Sequence, residues 1–253
     1  MVLCCLTNRV TRLILKQRMD SLRPFLFFSC IFFLNKFAIS LNYLQFYSPT
    51  FLILKCVPIL SLAAFVRGKF GSFARIRQDK HGYRIFIGLC LSMFADAALV
   101  YQDNLPIFLI GIGLFFAAHM AYVFAFGWKD FKPKLMILCA VAAIVTHQSV
   151  AHNMKNDLPE VLKTSGIFYT LAIFSMIWRA LARLDFGQME RNNWRDVSAG
   201  IGSILFVISD IILCVNKFVT SIHAAGYIVM TTYYAAQLGI ALSVPEQPVK
   251  LKP

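Results

Sequence analysis

Charged residues are scarce in this chain, and their scarcity argues against a soluble domain. Only 15% of the residues are Asp, Glu, Lys or Arg, whereas 58% are hydrophobic and the mean hydropathy is +0.66. Soluble domains typically contain about a quarter charged residues and close to half apolar residues. Several apolar runs reach about 18 to 20 residues, the length at which an α-helix crosses a bilayer. The composition therefore predicts a membrane protein.

Two further patterns are absent from the sequence. The apolar runs do not alternate strictly between polar and apolar residues, and the cysteines are not paired at a metal-binding spacing. A transmembrane β-barrel needs alternating segments, so the apolar runs predict helices instead. The seven cysteines include no C-x-x-C pair, which argues against a zinc site or a disulfide framework. Of the five histidines only His119 lies well inside a predicted span, so three imidazoles do not converge at one depth. We therefore expect neither a metal nor another cofactor.

Acidic residues are about half as numerous as basic ones, 12 against 25, which gives a formal net charge of +13. Most of the basic residues fall between the apolar runs, where they act as topology signals and as contacts for anionic lipid. No basic, aromatic-interleaved folded module remains, so we expect membrane lipid and no nucleic acid as a partner.

Eight apolar runs predict an all-α, polytopic transmembrane helix bundle that occupies residues 24–244. A basic cytosolic segment, 1–23, precedes the bundle, and a short cytosolic tail, 245–253, follows it. No apolar core with a small-residue cleavage site follows the basic segment closely, so we expect a cytosolic segment and not a cleavable signal. The predicted helices are 24–44, 51–66, 84–101, 105–126, 134–150, 162–182, 198–216 and 223–243.

Connections rich in Lys and Arg alternate with poor ones along this series of spans. The N-terminal segment and the 67–83, 127–133 and 183–197 connections are rich, whereas those between them hold at most one basic residue each. The positive-inside rule therefore places the rich connections and both termini in the cytosol. A miscounted span would break the alternation, which supports the count of eight. The first span is the weakest because it contains Asn35 and Lys36.

A shift of 114 residues aligns the third and fourth predicted spans with the seventh and eighth. Matched positions include Gly88 with Gly202 and Asp96 with Asp210, and His119 falls on Tyr233 where the match fades. Parallel repeats place related groups across a shared central cavity. The match predicts two parallel four-helix repeats, although a few apolar and glycine matches also arise by chance in membrane proteins.

Asp96 and Asp210 are the acidic residues that sit well inside predicted spans. Aspartate at a helix centre costs roughly 2.5 to 3.5 kcal/mol on insertion scales, so it is rarely retained there without a role. Each lies about 12 residues past the cytosolic entry of its span, at roughly 18 Å depth, which allows both to occupy one layer. Two nearby carboxyls in apolar surroundings can divide into one acid and one base. Simple hydrogen bonding to a neighbouring helix, with Ser92 and Ser209 as local partners, is the structural alternative.

Further polar side chains are expected in the same depth range. His119 and Tyr122 are three residues apart on one face of the fourth span, and Tyr233 and Gln237 share a face of the eighth. Lys55 lies near the outer start of the second span, where a lysine commonly extends toward the interface. Each residue also has a structural interpretation, as a hydrogen-bonded histidine, an interfacial tyrosine or a membrane-surface lysine.

Five segments of the spans form a specific set of motifs. They are L-S-M-F-A-D-A-A-L (91–99), G-L-F-F-A-A-H-M-A-Y (113–122), G-S-I-L-F-V-I-S-D (202–210) and T-Y-Y-A-A-Q (232–237), together with K-C-V-P (55–58). In this order they resemble motifs of the YhhN-like lysoplasmalogenase family. The resemblance implies an ether hydrolase that cleaves the vinyl ether bond of a lysophospholipid, lysoplasmalogen. The products would be a fatty aldehyde and glycerophosphocholine or glycerophosphoethanolamine. Family resemblance also implies a location in the endoplasmic reticulum membrane.

The resemblance makes Asp96 and Asp210 the expected catalytic residues. One aspartate, protonated, would donate to the vinyl ether, and the other, ionised, would stabilise the resulting cation and orient a water molecule. The alkenyl chain is expected among the phenylalanines of the third and fourth spans. The expected substrate-binding residues are Lys55, Ser92, His119, Tyr122, Ser209, Tyr233, Tyr234 and Gln237.

Two other classes of function stay open on the sequence alone: a lipid or proton-coupled transporter, and a non-catalytic scaffold. Parallel repeats and buried carboxylates also occur in transporters. Against that class, no helix pair is clearly interrupted at matched positions, and eight spans are few for alternating access. A scaffold leaves two costly aspartates at equal depth unexplained. The sequence does not fix the oligomeric state.

Overall fold

The computed structural model describes residues 2–41, 49–154, 158–187 and 193–246, with side chains from Asp20 onward. Every regular element in these ranges is an α-helix, as the composition predicts. The predicted tail after residue 246 lies outside the described residues. In chain order the helices are α1 (Val2–Ser40), α2 (Pro49–Gly68), α3 (Phe73–Gln78), α4 (Lys80–Val100), α5 (Leu105–Phe126), α6 (Pro133–Asn153), α7 (Glu160–Ala182), α8 (Trp194–Phe218) and α9 (Ala225–Leu242).

Seven helices among the described residues are long and apolar enough to cross a membrane. They are the Asp20–Ser40 part of α1, then α2 and α4 through α8. α9 corresponds to the eighth predicted span, and at 18 residues it is shorter and carries the polar residues Tyr233 and Gln237. It packs along α8 and also contacts α2 and α4, so it belongs to the same bundle. The expected polytopic architecture of about eight spans is confirmed.

α1 continues without interruption from the basic N-terminal segment into the first span. The segment predicted separately as 1–23 therefore shares a helix with the span that follows it. Pro24 lies inside this helix, where its missing N–H removes one backbone hydrogen bond. The helix ends at Ser40, earlier than the predicted 44, and residues 42–48 lie outside the described ranges.

Short polar side chains begin the helices that carry the central polar residues. Asp79 Oδ1 accepts a hydrogen bond from Gly82 N at 2.6 Å where α4 starts, and Asn104 Oδ1 accepts one from Ile107 N at 3.2 Å where α5 starts. Such residues are favoured at these positions because they satisfy amide groups that the first helical turn leaves unpaired.

α4 packs most extensively on α5, and α8 packs in the same way on α9. Glycines allow both approaches. A Cβ atom at Gly88 would lie 2.2 Å from the Tyr122 ring, and one at Gly202 would lie 2.8 Å from the backbone oxygen of Ala236. Positions 202 and 236 follow positions 88 and 122 by the same 114 residues, so the two helix pairs meet at corresponding points.

Arg179 ties together the connections at one end of the bundle. Its side chain is buried, and Nε donates to the Gly127 oxygen at 2.6 Å while Nη1 donates to the Asp130 oxygen at 3.0 Å. The guanidinium lies 5.1 Å and 4.8 Å from the ring centroids of Trp128 and Trp178. A charge buried this deeply is tolerated because its donors have acceptors.

Other basic residues reinforce this end, which contains the connections after α2, α5 and α7 and is called the basic end below. Lys69 donates to the Val244 oxygen at 2.6 Å, and Lys132 donates to the Leu184 oxygen. The opposite end, where α1, α4, α6 and α8 finish, is called the cavity end. The basic residues predicted as topology signals thus also join the segments between helices.

Candidate active site

Asp96 and Asp210 lie in the cavity-end halves of α4 and α8. α4 continues for about one turn after Asp96, to Val100, and α8 continues for about two turns after Asp210, to Phe218. Both aspartates line one cavity of about 560 Å³. The two acidic side chains that the sequence singled out therefore face a common space.

Asp96 is almost completely buried between a lysine and a tyrosine. Lys55 Nζ lies 3.5 Å from Asp96 Oδ1 and also donates to the Asp96 backbone oxygen at 3.2 Å. Tyr233 donates its hydroxyl hydrogen to Asp96 Oδ2 at 2.6 Å. An ammonium and a hydroxyl donor both stabilise the ionised form of a carboxyl group. These contacts suit Asp96 as a carboxylate.

A chain of buried hydrogen bonds orients the Tyr233 hydroxyl. Gln237 Nε2 donates to the Tyr233 oxygen at 3.3 Å, and Tyr122 donates to Gln237 Oε1 at 2.8 Å. Because the Tyr233 oxygen accepts from Gln237, its own hydrogen is directed to Asp96. Tyr122 from the predicted polar face of the fourth span thus meets Tyr233 and Gln237 of the eighth in one network. His119, predicted on the same face as Tyr122, lies beside Asp210 instead.

Asp210 is approached by a tyrosine and a histidine, where Asp96 has a lysine and a tyrosine. Tyr169 donates to Asp210 Oδ2 at 2.5 Å, and His119 Nε2 lies 3.8 Å from the same oxygen. His119 Nε2 is also 3.1 Å from the Tyr169 oxygen. Tyr169 has one hydroxyl hydrogen, which Asp210 accepts, so His119 needs a hydrogen on Nε2 to bond that oxygen. The Asp210 side chain is 17% exposed against 4% for Asp96, so it is the carboxyl more open to the cavity.

The two aspartates are contacted in a crossed pattern. Tyr233 of α9 donates to Asp96 of α4, whereas His119 of α5 approaches Asp210 of α8. His119 and Tyr233 are separated by the same 114 residues as the two aspartates. Crossed contacts of this kind are what two related helix pairs around a common axis would make.

Two phenylalanines separate the two networks. The Phe206 ring centroid lies 4.7 Å from that of His119 and 5.3 Å from that of Tyr233. Phe115 lies 6.4 Å and 5.9 Å from the same two rings. This packing fills the space between the polar groups with aromatic carbon, which lowers the local dielectric and strengthens the hydrogen bonds beside it.

The walls of the cavity are largely apolar and come from α1, α2 and α4 through α9. The resemblance led us to expect an alkenyl chain against α4 and α5, and Leu99, Phe108 and Phe115 of those helices do line the cavity. Most of the apolar lining residues come from the other helices. At the cavity end, the lining side chains become polar and basic: Gln102, His147, Lys163, Asn216 and Lys217, with Lys36 from α1.

Three of the expected substrate-binding residues make no hydrogen bond to either carboxyl group. Tyr234 donates to the Lys55 backbone oxygen at 3.0 Å and packs against aromatic rings of α1. Ser209 lines the cavity but donates to the Val229 oxygen at 3.0 Å. Ser92 is fully buried and has no hydrogen-bond partner among the described residues. Tyr234 and Ser209 therefore join α9 to its neighbouring helices.

Tyr169, Lys36 and Lys217 line the cavity but were not selected from the sequence. Tyr169 is a single tyrosine in a mostly apolar part of α7, and no charged residue stands three or four positions from it. Lys36 was noted only as a weakness of the first span, and Lys217 only as the lone basic residue of a connection. The available signal was a polar residue in apolar surroundings, which often marks function in a membrane.

Among the described residues, no three His, Cys, Asp or Glu side chains group together where they could hold a metal ion. His119 and Asp210 provide a pair at most, and Asp96 is already beside the Lys55 ammonium. The arrangement as it stands offers hydrogen-bond donors and two carboxyl groups that can exchange protons.

Comparison with known proteins identifies one family and several relatives. The sequence model of the YhhN family matches residues 50–244. The lysoplasmalogenase TMEM86B of Sus scrofa is 36% identical over 201 residues, which cover 79% of this chain and 77% of that protein. The lysoplasmalogenase TMEM86A of Bos taurus is 30% identical over 242 residues, or 94% of each chain. No solved structure matches.

Proposed function

This chain belongs to the YhhN family, and we propose that it is a membrane-embedded lysoplasmalogenase. It would add water to the vinyl ether bond of a lysoplasmalogen and release a fatty aldehyde with glycerophosphocholine or glycerophosphoethanolamine. One observation carries the proposal: Asp96 and Asp210 line the same apolar cavity with different partners. A carboxylate beside an ammonium, and a second carboxyl beside a tyrosine and a histidine, are the proposed base and acid for this hydrolysis.

Asp210 is the proposed proton donor. In its neutral form it accepts the Tyr169 hydrogen bond at Oδ2 and carries its proton on Oδ1. The carbon–carbon π bond of the vinyl ether takes this proton at the β-carbon, forming a C–H bond and leaving an oxocarbenium ion. Tyr169 and His119 then stabilise the charge that develops on Asp210.

Asp96 is the proposed ionised partner, with its charge balanced by Lys55. It stabilises the oxocarbenium ion and accepts a proton from the water that attacks the carbon bonded to the ether oxygen. The hemiacetal then collapses. The glycerol oxygen takes the proton from Asp96 as its bond to carbon breaks, and the hemiacetal hydroxyl returns a proton to Asp210. Both carboxyl groups recover their starting states, and the sum is substrate plus water to aldehyde plus alcohol.

A transporter, the second class left open by the sequence, is less well supported. Alternating access requires a path from the cavity to the basic end of the bundle. That end is held by Arg179 between Trp128 and Trp178, and by the backbone hydrogen bonds of Lys69 and Lys132. Opening it would leave a buried guanidinium and several carbonyl groups without partners, which is costly.

Both termini are proposed to face the cytosol, with the cavity end on the other side of an endoplasmic reticulum membrane. The alternation of basic connections supports the orientation, and family resemblance supports the organelle. A glycosylation acceptor placed in the connection after α8 should be modified, whereas one placed at the N-terminus should not. The reverse pattern would contradict the orientation.

The function is tested by aldehyde release from the purified, detergent-solubilised protein. Lysoplasmalogen is compared with the matching lysophospholipid that carries a saturated ether, which has no π bond to protonate. Aldehyde from the vinyl ether lipid and none from the saturated ether lipid is the expected result. Folded protein that releases no aldehyde from either lipid would contradict the hydrolase.

A further inference from the structure

We propose that Lys36, together with Asn216 and Lys217, forms a phosphate-binding subsite at the mouth of the cavity. The inference rests on the proposed lysoplasmalogenase function and adds the residues that would select a phosphorylated head group. None of the three takes part in the hydrogen bonds around Asp96 or Asp210. Lys36 also lies before the 50–244 segment matched by the family.

Lys36 lies within the apolar part of α1 and is only partly exposed. Among the described residues no carboxylate lies within ion-pair distance of it, and its Nζ atom is 5.4 Å from the centroid of the Tyr227 ring. Lys36 lines the main cavity and also a smaller adjoining groove. A lysine inside a membrane span is costly unless an anion or a water-filled space compensates it. An anionic ligand at this opening would provide that compensation.

Gly226 lets the Lys36 ammonium lie against the first turn of α9. A Cβ atom at this position would be 2.7 Å from Lys36 Nζ and 3.1 Å from Cε. The start of α9 carries no side-chain cap, and the amide end of a helix is partially positive. A cation beside that end is unfavourable by itself, so a phosphate between the two would relieve the repulsion.

Asn216 and Lys217 extend the same opening from the last turn of α8. Asn216 lines both the cavity and the groove, and its Oδ1 accepts from Ile222 N at 2.9 Å, so its NH2 group is the end that can donate to a ligand. Lys217 Nζ lies 3.4 Å from the Gln102 oxygen, and Asp103 is close enough to interact with it. The net charge around the opening stays positive because Lys36 adds its ammonium.

A lysophospholipid fits this arrangement of polar and apolar lining residues in one orientation. Its phosphate would stay at Lys36, where the lining is polar, and its hydrocarbon chain would enter the apolar part of the cavity. The vinyl ether is attached to the glycerol that also carries the phosphate, so it would lie between these regions. Asp96 and Asp210 line that same space.

Binding without turnover tests the subsite. The purified full chain in nanodiscs is titrated with a saturated-ether lysophosphocholine and with the matching 1-O-alkylglycerol, which lacks phosphate. Wild type should bind the phosphorylated lipid more tightly. Lys36→Gln should weaken that binding by about tenfold, the typical effect of losing a charge-assisted hydrogen bond, and leave the alkylglycerol unchanged. Equal affinity of wild type for the two lipids would overturn the proposal.

Lys163→Gln is the matched control. Lys163 also lines the cavity at this end, but its Nζ atom is 2.8 Å from Glu160 Oε1, so its charge is already paired. Its replacement should leave binding of the phosphorylated lipid unchanged. An equal loss in Lys163→Gln and Lys36→Gln would indicate a diffuse attraction to positive charge and would overturn a defined subsite.

The phosphate subsite and the hydrolase activity can be contradicted independently of each other. Phosphate-dependent binding that requires Lys36, without aldehyde release from lysoplasmalogen, would support the subsite and contradict the enzyme. Aldehyde release by wild type, with Lys36→Gln binding both lipids as wild type does, would contradict the subsite and leave the enzyme in place.

Discussion

The two ends of this bundle use basic residues in different ways. At the basic end Arg179, Lys69 and Lys132 donate to backbone oxygens and hold the connections together. At the cavity end Lys36 lines an opening and has no carboxylate partner among the described residues, while Lys55 pairs with Asp96 deeper inside. The role of a basic residue therefore depends on its hydrogen-bond acceptors more than on the number of positive charges nearby. A cation that donates to the chain's own carbonyl oxygens holds connections together, whereas a cation without a fixed acceptor is available to bind a ligand.

Because of this difference we place the entrance at the cavity end. A hydrolase of a single-chain lipid needs one entrance, an apolar space for the chain and a dry site for proton transfer. The cavity end provides the entrance and the space, and at the basic end Arg179, Lys69 and Lys132 hold the described connections together. Catalysis and stability should consequently respond to substitutions at opposite ends.

The largest effect is expected at the cavity end, from Asp210→Asn and Asp96→Asn. Each removes a group that donates or accepts a proton, so the rate of aldehyde release should fall by about 10² to 10⁴-fold. Asparagine keeps the size of the side chain, so the thermal unfolding temperature should change little in Asp210→Asn. Asp96→Asn also leaves the Lys55 ammonium without its carboxylate and should unfold at a lower temperature, so its rate is compared per folded molecule. Glu160→Gln, an exposed carboxylate at the same end, is the control. Near-normal rates in either aspartate variant would contradict its catalytic role.

At the basic end, Arg179→Met should lower stability and spare catalysis. The change removes two charge-assisted hydrogen bonds from a buried position, each contributing about 1.5 to 3 kcal/mol. Thermal unfolding should therefore occur several degrees lower, while the rate per folded molecule stays the same. Arg183→Gln is the control, because its ion pair with Asp196 is partly exposed and contributes less. A folded Arg179 variant with greatly reduced turnover would contradict the assignment of stability to the basic end and catalysis to the cavity end.

A smaller catalytic effect is expected from Tyr169→Phe. The variant leaves Asp210 without its hydroxyl donor, so the charge that develops there during proton transfer is less stabilised. We expect kcat to fall by about tenfold to a hundredfold, with KM almost unchanged. Tyr227→Phe, whose hydroxyl lies 3.5 Å from Ser40 Oγ near the surface and away from both aspartates, should behave as wild type. A fall in both tyrosine variants would point to a general effect on folding.

Tyr234→Phe should have the smallest effect. Tyr234 was expected to bind substrate, but its hydroxyl donates to the Lys55 backbone oxygen and its ring packs on α1. Loss of this hydrogen bond should reduce the free energy of unfolding by about 1 kcal/mol and leave turnover within about twofold. A tenfold loss of activity at normal stability would return Tyr234 to the binding site.

The helices could be predicted because their signals are local. The apolar runs predicted the lengths of the spans, and the alternation of basic connections predicted their number. The length of α1 was underestimated, because the basic N-terminal segment continues the same helix. Asp96 and Asp210 could also be selected, since a carboxyl group inside an apolar run is conspicuous without knowledge of its neighbours. The 114-residue spacing further matched His119 with Tyr233, which occupy equivalent places beside the two carboxyl groups.

The partners of each carboxyl group could not be predicted, because they come from distant helices. Tyr233 is 137 residues from Asp96, and Tyr169 is 41 residues from Asp210. Helical periodicity fixes which face of a helix a residue occupies but not which helix packs against that face. Lys36 was missed for the same reason: only the packing of α1 beside α9 brings it to the cavity.

Acid-catalysed hydrolysis by the two aspartates is tested most directly by running the wild-type reaction in D2O. The carboxyl protons exchange with solvent, so proton transfer to the β-carbon of the vinyl ether would place one deuterium on the product carbon adjacent to the aldehyde carbonyl. The product is trapped by reduction and analysed by mass spectrometry. One deuterium at that carbon, formed at a rate that collapses in Asp210→Asn, is the predicted result. Aldehyde formed without deuterium there, or at an undiminished rate in the variant, would contradict the mechanism.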